Sequence, residues 1–287
     1  MTAQLTVRTV LATAIGRLSV LDAELLLSHV LGTARSWLIA HSDDPLPSSQ
    51  VDRFNEWLER AARGEPLAYI LGYKEFWSLR LAVSPAVLVP RPETELLVER
   101  ALALHSQSTG RVADLGTGSG AIALALARER PGWSVVATDI SEEALKVARG
   151  NAAAHGLSQI EFLPGRWLDP LEGRKFNLIV SNPPYIDERD PAMRTPALRH
   201  EPRIALTPGA DALASIREIV QSAPPRLEPN GWLLLEHGSD QAAAVARELV
   251  ARGFTHVRSH RDLAGHERMT EGRRPNDPAP VSPNEDL

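Results

Sequence analysis

Val112-Ala-Asp-Leu-Gly-Thr-Gly-Ser-Gly-Ala121 carries an apolar strand, a turn through Gly116, Gly118 and Gly120, and the start of an apolar helix in one run. Glycine at those positions lets main chain approach a ligand closely, and the helix N-terminus that follows favours negative charge. The rest of the chain keeps the same rhythm. Residues 111–115, 135–138, 160–163, 176–181, 232–236 and 255–259 read as strands, and 96–104, 119–130, 142–155, 212–222 and 240–252 as helices. Strands alternating with helices predict an α/β fold, a doubly wound and mostly parallel sheet.

Asp139 closes the strand after the glycine turn, where a carboxylate can take both hydroxyls of a ribose. The same residues admit a plainer reading, an ordinary tight turn with a capping aspartate. Gly116, Gly118 and Ala121 also satisfy a relaxed dinucleotide pattern, which leaves NAD as a rival ligand. Two features favour S-adenosyl-L-methionine instead. Asp114 could hold the ammonium end of a methionine-like ligand, and the chain offers no evident hydride-transfer partner such as a tyrosine-lysine pair at helical spacing.

A second informative stretch is Phe176-Asn-Leu-Ile-Val-Ser-Asn-Pro-Pro-Tyr185, a buried strand that ends abruptly. Pro183 and Pro184 forbid both ladder donation and helix formation, so the chain leaves the sheet stiff and extended. An amide side chain, a rigid carbonyl and an aromatic ring therefore stand at the carboxyl end of a strand, the edge where open α/β sheets bind ligands.

The first seventy or so residues read as helical. Leu25, Leu26, Leu27, Val30 and Leu31 form an apolar face that Gly32 can terminate, and Ser48 and Ser49 can cap a helix carrying Val51, Phe54, Trp57, Leu58 and Ala61. Phe76, Leu79, Leu81 and Val83 suggest a short sheet segment. The expected organisation is a small helical domain over 1–72, a linker with that segment over 73–92, the α/β domain over 93–272, and a proline-rich disordered tail over 273–287.

The chain has 287 residues, 43% hydrophobic content and a formal net charge of -5, so no global positive field would gather nucleic acid or acidic lipid. It has no cysteine, which excludes disulfides, thiolate metal sites and a cysteine nucleophile. The nine histidines show no metal-ligand spacing, and no metal is expected. Charges at Arg8, Arg17, Asp22 and Glu24 interrupt any leader-like segment, and no run of 18 apolar residues occurs. A cytoplasmic, monomeric protein without a membrane partner or direct nucleic-acid binding is expected.

Together, Asp114-Leu-Gly-Thr-Gly-Ser-Gly120, Asp139 and Asn182-Pro-Pro-Tyr185 resemble a class I, Rossmann-like S-adenosylmethionine-dependent methyltransferase acting on amino or amide nitrogen. Gly64-Glu-Pro-Leu-Ala-Tyr-Ile-Leu-Gly72, Glu75-Phe76 and Val89-Pro-Arg-Pro-Glu-Thr-Glu95 narrow the likeness to the HemK/PrmC family, the release factor glutamine methyltransferases. The likeness spans about residues 20 to 270.

That resemblance implies a protein-(glutamine-N5) methyltransferase acting on the Gly-Gly-Gln motif of peptide-chain release factors, with the helical domain recognising the protein substrate. It implies cofactor contacts from Gly116, Thr117, Gly118, Ser119, Gly120, Asp139, Trp167 and Asn182. It implies substrate contacts from Asn182, Pro183, Pro184 and Tyr185, with Asn182, Pro183 and Tyr185 carrying the catalysis. Gly165-Arg166 departs from the family, which often has an acidic residue before the tryptophan. Trp167 could instead be core, and Tyr185 a packing residue. Glu93 and Glu95 read as helix-start acids, His237 as a hydrogen-bonded strand-end histidine, and Glu201 and Pro202 as loop anchors or walls of a substrate groove. The competing activity is methylation of an exocyclic amine on a flipped base, which uses the same motif.

Overall fold

The structure is a computed structural model, described here over residues 5–276. Its N-terminal part is helical: α1 (Val7–Ala12), α2 (Val20–Leu31), α3 (Arg35–Ala40), α4 (Ser48–Ala62) and α5 (Leu67–Leu71). These helices close their own core around Val10, Leu26, Leu27, Leu38, Phe54 and Leu58. Ser19 caps α2 by accepting from the Asp22 amide at 3.1 Å, and Gly32 ends it at φ 67°. The serines expected to cap α4 do not do so. Pro47 holds the N-cap position, and Ser48 and Ser49 lie inside the first turn.

A hairpin of β1 (Tyr73–Phe76) and β2 (Leu79–Ala82) follows. The segment 73–92 is more than a linker, because Phe76, Leu79 and Leu81 are buried in the same core as the main sheet. Asn151 fastens the hairpin: its Oδ1 accepts from the Ala82 amide, while its Nδ2 donates to the carbonyls of Ala82 and Ser119.

The α/β part then runs α6 (Glu95–Leu104), β3 (Gly110–Leu115), α7 (Ala121–Glu129), β4 (Trp133–Asp139), α8 (Glu142–Ala154), β5 (Glu161–Pro164) and β6 (Phe176–Ser181). After a long loop holding α9 (Pro196–Arg199) and α10 (Arg203–Leu206) come α11 (Ala214–Ser222), β7 (Leu227–Glu236), α12 (Ala242–Ala251), β8 (Thr255–Arg261) and β9 (Glu267–Arg273). The seven strands stand in the order β5-β4-β3-β6-β7-β9-β8. Pairing is parallel from β5 to β7, and β9 runs antiparallel to both its neighbours. No helix among the described residues is long and apolar enough to cross a membrane.

Strand β9 corrects the expected tail. Arg273 belongs to the strand, and the Arg274 amide donates to the Gly231 carbonyl at 2.8 Å. Residues 277–287 of that tail lie outside the described residues. The strand escaped sequence reading because its buried centre is Met269, Thr270, Glu271 and Gly272, which is not an apolar run. Glu271 is tolerated there because Arg100 holds it in a two-pronged pair at 3.0 and 3.1 Å.

Register determines where the site falls. Leu115 of β3 pairs with Thr138 of β4 and with Ser181 of β6, and Ser181 pairs with Leu235 of β7. Gly116, Asp139, Asn182 and Glu236 consequently leave the sheet on one edge, around the point where strand order reverses between β3 and β6.

Candidate active site

A cavity of about 300 Å³ opens at that edge. Its lining brings together Gly116, Thr117, Gly118, Ser119, Asp139, Trp167, Asn182 and Pro184 from the residues singled out in the sequence. Three others do not reach it. Gly120 caps α7 in the left-handed conformation at φ 84°, and a Cβ there would lie 2.6 Å from Leu124 Cδ1. Its glycine serves helix packing. Pro183 is buried, and Tyr185 packs against the core beneath the motif.

The glycine turn is shaped by the carboxylates around it. Asp139 accepts the Gly118 amide through Oδ2 and the Ser141 amide through Oδ1, both at 2.9 Å. Each oxygen keeps a lone pair for a further donor, so the carboxylate can still take a pair of ribose hydroxyls. Burial pushes its pKa up, and the backbone amides pull it back.

Asp114, suggested by the sequence as a holder of the ammonium end, is not among the residues that line the cavity. It is fully buried below the turn, where Oδ2 accepts from the Thr117 hydroxyl at 2.6 Å and the Ala123 amide at 3.2 Å. Its Oδ1 has no partner, and burial pushes its carboxyl up to about 7.

Trp167 adopts φ 46°, uncommon for a bulky residue and costly by about 1–3 kcal/mol. The strain is held in place by the Trp167 carbonyl, which accepts from Thr138 Oγ1 at 2.8 Å. The ring lies over the glycine turn, since a Cβ on Gly116 would stand 3.0 Å from its Cζ3. The departure at Gly165-Arg166 has a local function here. Arg166 forms a two-pronged pair with Glu218 of α11 and sits 5.7 Å from the Trp167 ring centroid. Gly165 at φ 150° passes Pro170, which a Cβ would meet at 2.9 Å.

Gly116→Ala therefore combines left-handed strain, at φ 70°, with displacement of Trp167. We expect cofactor affinity to fall by about tenfold or more, equivalent to about 1.4 kcal/mol, in a protein that still melts cooperatively. Calorimetric titration with S-adenosylmethionine measures this, and an unchanged Kd would remove the close-approach argument.

Asn182 donates through Nδ2 to Thr94 Oγ1 at 3.1 Å, and its Oδ1 takes no hydrogen bond from any described residue. Tyr185 donates to Glu236 Oε1 at 3.3 Å. The tyrosine's pKa is raised by burial and by the nearby Glu236 carboxyl. Glu201 anchors the loop after β6: Oε2 accepts the Val89 amide at 3.0 Å and Oε1 pairs with Arg91. Pro202, Ile204, Ala205, Thr207 and Pro208 from that loop then form one wall of the cavity. Glu95 accepts the Trp77 amide at 2.8 Å and so holds the hairpin turn. His237 is satisfied by the Gly238 carbonyl and Thr270, and burial lowers its pKa.

Sequence reading missed Arg91, Thr94, Ile140 and Ile204, all in the lining. Ile140 carried one signal, an apolar residue immediately after Asp139 that stays half exposed at the mouth.

The cavity suits a nucleoside with a charged arm, given a glycine cradle, an acidic residue on the next strand and an aromatic wall. The sheet order and this site define a class I methyltransferase. Solved structures share the fold: an hMettl16 catalytic domain bound to MAT2A 3′UTR hairpin 1 superposes with a TM-score of 0.58, at 15% identity over 82% of this chain and 84% of that one. A methyltransferase from Pyrococcus furiosus superposes with a TM-score of 0.53, at 18% identity over 76% and 98%.

Residues 7–72 match the PrmC N-terminal domain, and residues 92–210 the methyltransferase small domain. The release factor glutamine methyltransferase of Xylella fastidiosa (strain Temecula1) is 50% identical over 92% of this chain and 97% of its own length. That of Pseudomonas aeruginosa is 51% identical over 88% and 92%, and that of Escherichia coli K12 is 44% identical over 88% and 91%. The chain belongs to the release factor glutamine methyltransferase family.

Proposed function

We propose that this protein transfers the methyl group of S-adenosylmethionine to the side-chain amide nitrogen of the glutamine in the Gly-Gly-Gln motif of peptide-chain release factors, supporting translation termination. One observation carries the reading. Asn182 stands in the cavity with its amide nitrogen committed to Thr94 and its oxygen free, a short way along the sheet edge from the glycine turn.

The bound cofactor supplies an electrophilic methyl on a sulfonium. An amide nitrogen is a poor nucleophile, because its lone pair is delocalised into the carbonyl, so position matters more than a strong base. Asn182 Oδ1 accepts an N–H bond of the substrate NH2. That contact aims the nitrogen at the methyl donor and stabilises positive charge as it develops. With the donor bound, the amide nitrogen would take its methyl as the C–S bond breaks, the electron pair would stay on sulfur in S-adenosylhomocysteine, and one N–H proton would be released. Asp139 takes the ribose hydroxyls, and Gly116 to Ser119 with Trp167 enclose the remainder of the cofactor. Tyr185 supports the motif from below and keeps water from its inner side.

The helical domain over 1–72 is assigned to recognition of the protein substrate. The end of α4 touches the loop that walls the cavity, since a Cβ on Gly64 would lie 2.1 Å from Pro196 Cβ. A release factor bound at the cavity mouth would therefore meet both. We place the protein in the cytoplasm as a monomer, where its substrates are made, without direct binding to nucleic acid.

Incubation with radiolabelled S-adenosylmethionine and, separately, release factor or DNA tests the activity. Label is expected in the release factor and should vanish when its Gly-Gly-Gln glutamine is replaced. Label only in the DNA would overturn the reading in favour of base methylation. Deletion of residues 1–72 is expected to reduce release-factor kcat/KM by about tenfold or more, corresponding to about 1.4 kcal/mol of lost contact, while cofactor binding survives. Undiminished kcat/KM would detach the helical domain from substrate recognition.

A further inference from the structure

A carboxamide presents oxygen on one side and nitrogen on the other in nearly the same shape, so its neighbours decide which way round it stands. For Asn182 that neighbour is Thr94, a 5% exposed residue of the cavity lining, whose Oγ1 lies 3.1 Å from Nδ2. A hydroxyl can donate as well as accept, so Thr94 alone would tolerate either orientation of the amide. It discriminates only if its own proton is directed elsewhere.

Glu236, at the end of β7, offers that direction. It is 2% exposed, its Oε1 accepts from Tyr185 at 3.3 Å, and its Oε2 has no partner. Burial pushes its carboxyl up to about 7, while Thr94 and then Tyr185 favour the ionised form. Thr94 and Glu236 thus hold the two ends of the motif, through Asn182 and Tyr185, and Glu236 Oε2 is left unpaired. The remaining charges facing Glu236 are Glu93 from the turn before α6 and Arg268 from β9.

We propose that Thr94 and Glu236 are positioning residues, a buried pair that turns the Asn182 carboxamide so that its oxygen faces the substrate nitrogen and holds Tyr185 beneath it. The Thr94 proton turns toward Glu236, its lone pair takes the Asn182 NH2, and Oδ1 is left toward the cavity. The pair reaches Asn182 through Thr94 and Tyr185 through Glu236, so the two ends of the motif share one support. This inference rests on the methyltransferase reading above.

The test compares the parent with Thr94→Val, Thr94→Ser and Glu236→Gln, on a release-factor substrate that the parent has first been shown to methylate. Failure of that first step strikes the functional reading alone. Valine keeps the shape and loses the acceptor; serine keeps the acceptor. Thr94→Val is expected to lower kcat about 10- to 100-fold, a fraction of the effect of losing a direct contact. The Kd for S-adenosylmethionine and the melting temperature should stay near the parent's. Thr94→Ser should restore kcat to within about threefold of the parent, at most about 0.7 kcal/mol. Glu236→Gln, whose amide can face Thr94 with either end, should fall with valine rather than with serine. The proposal is overturned if valine keeps parental kcat, if serine is as poor as valine, or if the loss in valine lies wholly in cofactor affinity. Should Thr94→Val not fold, Thr94→Ala carries the same comparison.

Discussion

Asn182→Ala is expected to lower turnover about 100-fold or more, because removing one preorganised hydrogen bond from a developing charge costs roughly 2.7–4 kcal/mol. The loss should exceed that of any other single truncation in the cavity. Asn182 supplies the only side-chain acceptor of the Asn-Pro-Pro-Tyr segment that faces the cavity, whereas Pro184 contributes shape and Tyr185 lies beneath. Folding should survive, because the residue is partly exposed and its one hydrogen bond goes to Thr94. Single-turnover methylation of release factor with saturating cofactor reads the chemical step. A folded Asn182→Ala protein with near-parental turnover would remove the asparagine from the mechanism.

Asp139→Asn should raise the Kd for S-adenosylmethionine about 100-fold, with little effect on turnover once the cofactor is saturating. Both carboxylate oxygens already accept backbone amides, from Gly118 and from Ser141. An asparagine must aim an NH2 at one of those N–H groups, which loses an acceptor and sets donor against donor. The ribose hydroxyls meanwhile lose a charge-assisted partner, and each such bond is worth about 1.5–3 kcal/mol. Local order of the turn should suffer as well, since Gly118 is tied down through this carboxylate. Calorimetric titration separates the cases. An unchanged Kd would mean that the ribose is held elsewhere.

Much of the α/β part was legible because its signals are local. The strand over 176–181 was read to the residue, and the strands from β3 to β7 appeared as apolar runs between turns. The strand β7 begins earlier than its apolar stretch, at Leu227, because an irregular register beside Phe176 and Leu178 extends the pairing. The strand β9 was unreadable for a related reason. It lies between β7 and β8, and its Glu271 becomes buriable only because Arg100 on α6 is brought against it. Asn151 behaves likewise: on α8 it looks like an unremarkable polar residue, yet it ties β2 to the glycine turn.

Within the site, chain-local motifs announced the glycine turn, the acid on the following strand and the amide before two prolines. The glycine turn and the amide before two prolines each lie within ten residues, and the acid follows Gly116 by 23 positions. The contacts that orient them come from far along the chain. Thr94 meets Asn182, Tyr185 meets Glu236, Val89 meets Glu201, and the Trp167 ring covers Gly116. Nothing in a linear reading fixes which side of an amide faces a cavity, because that choice is made by neighbours that only sheet register and a buried, poorly solvated carboxyl bring together.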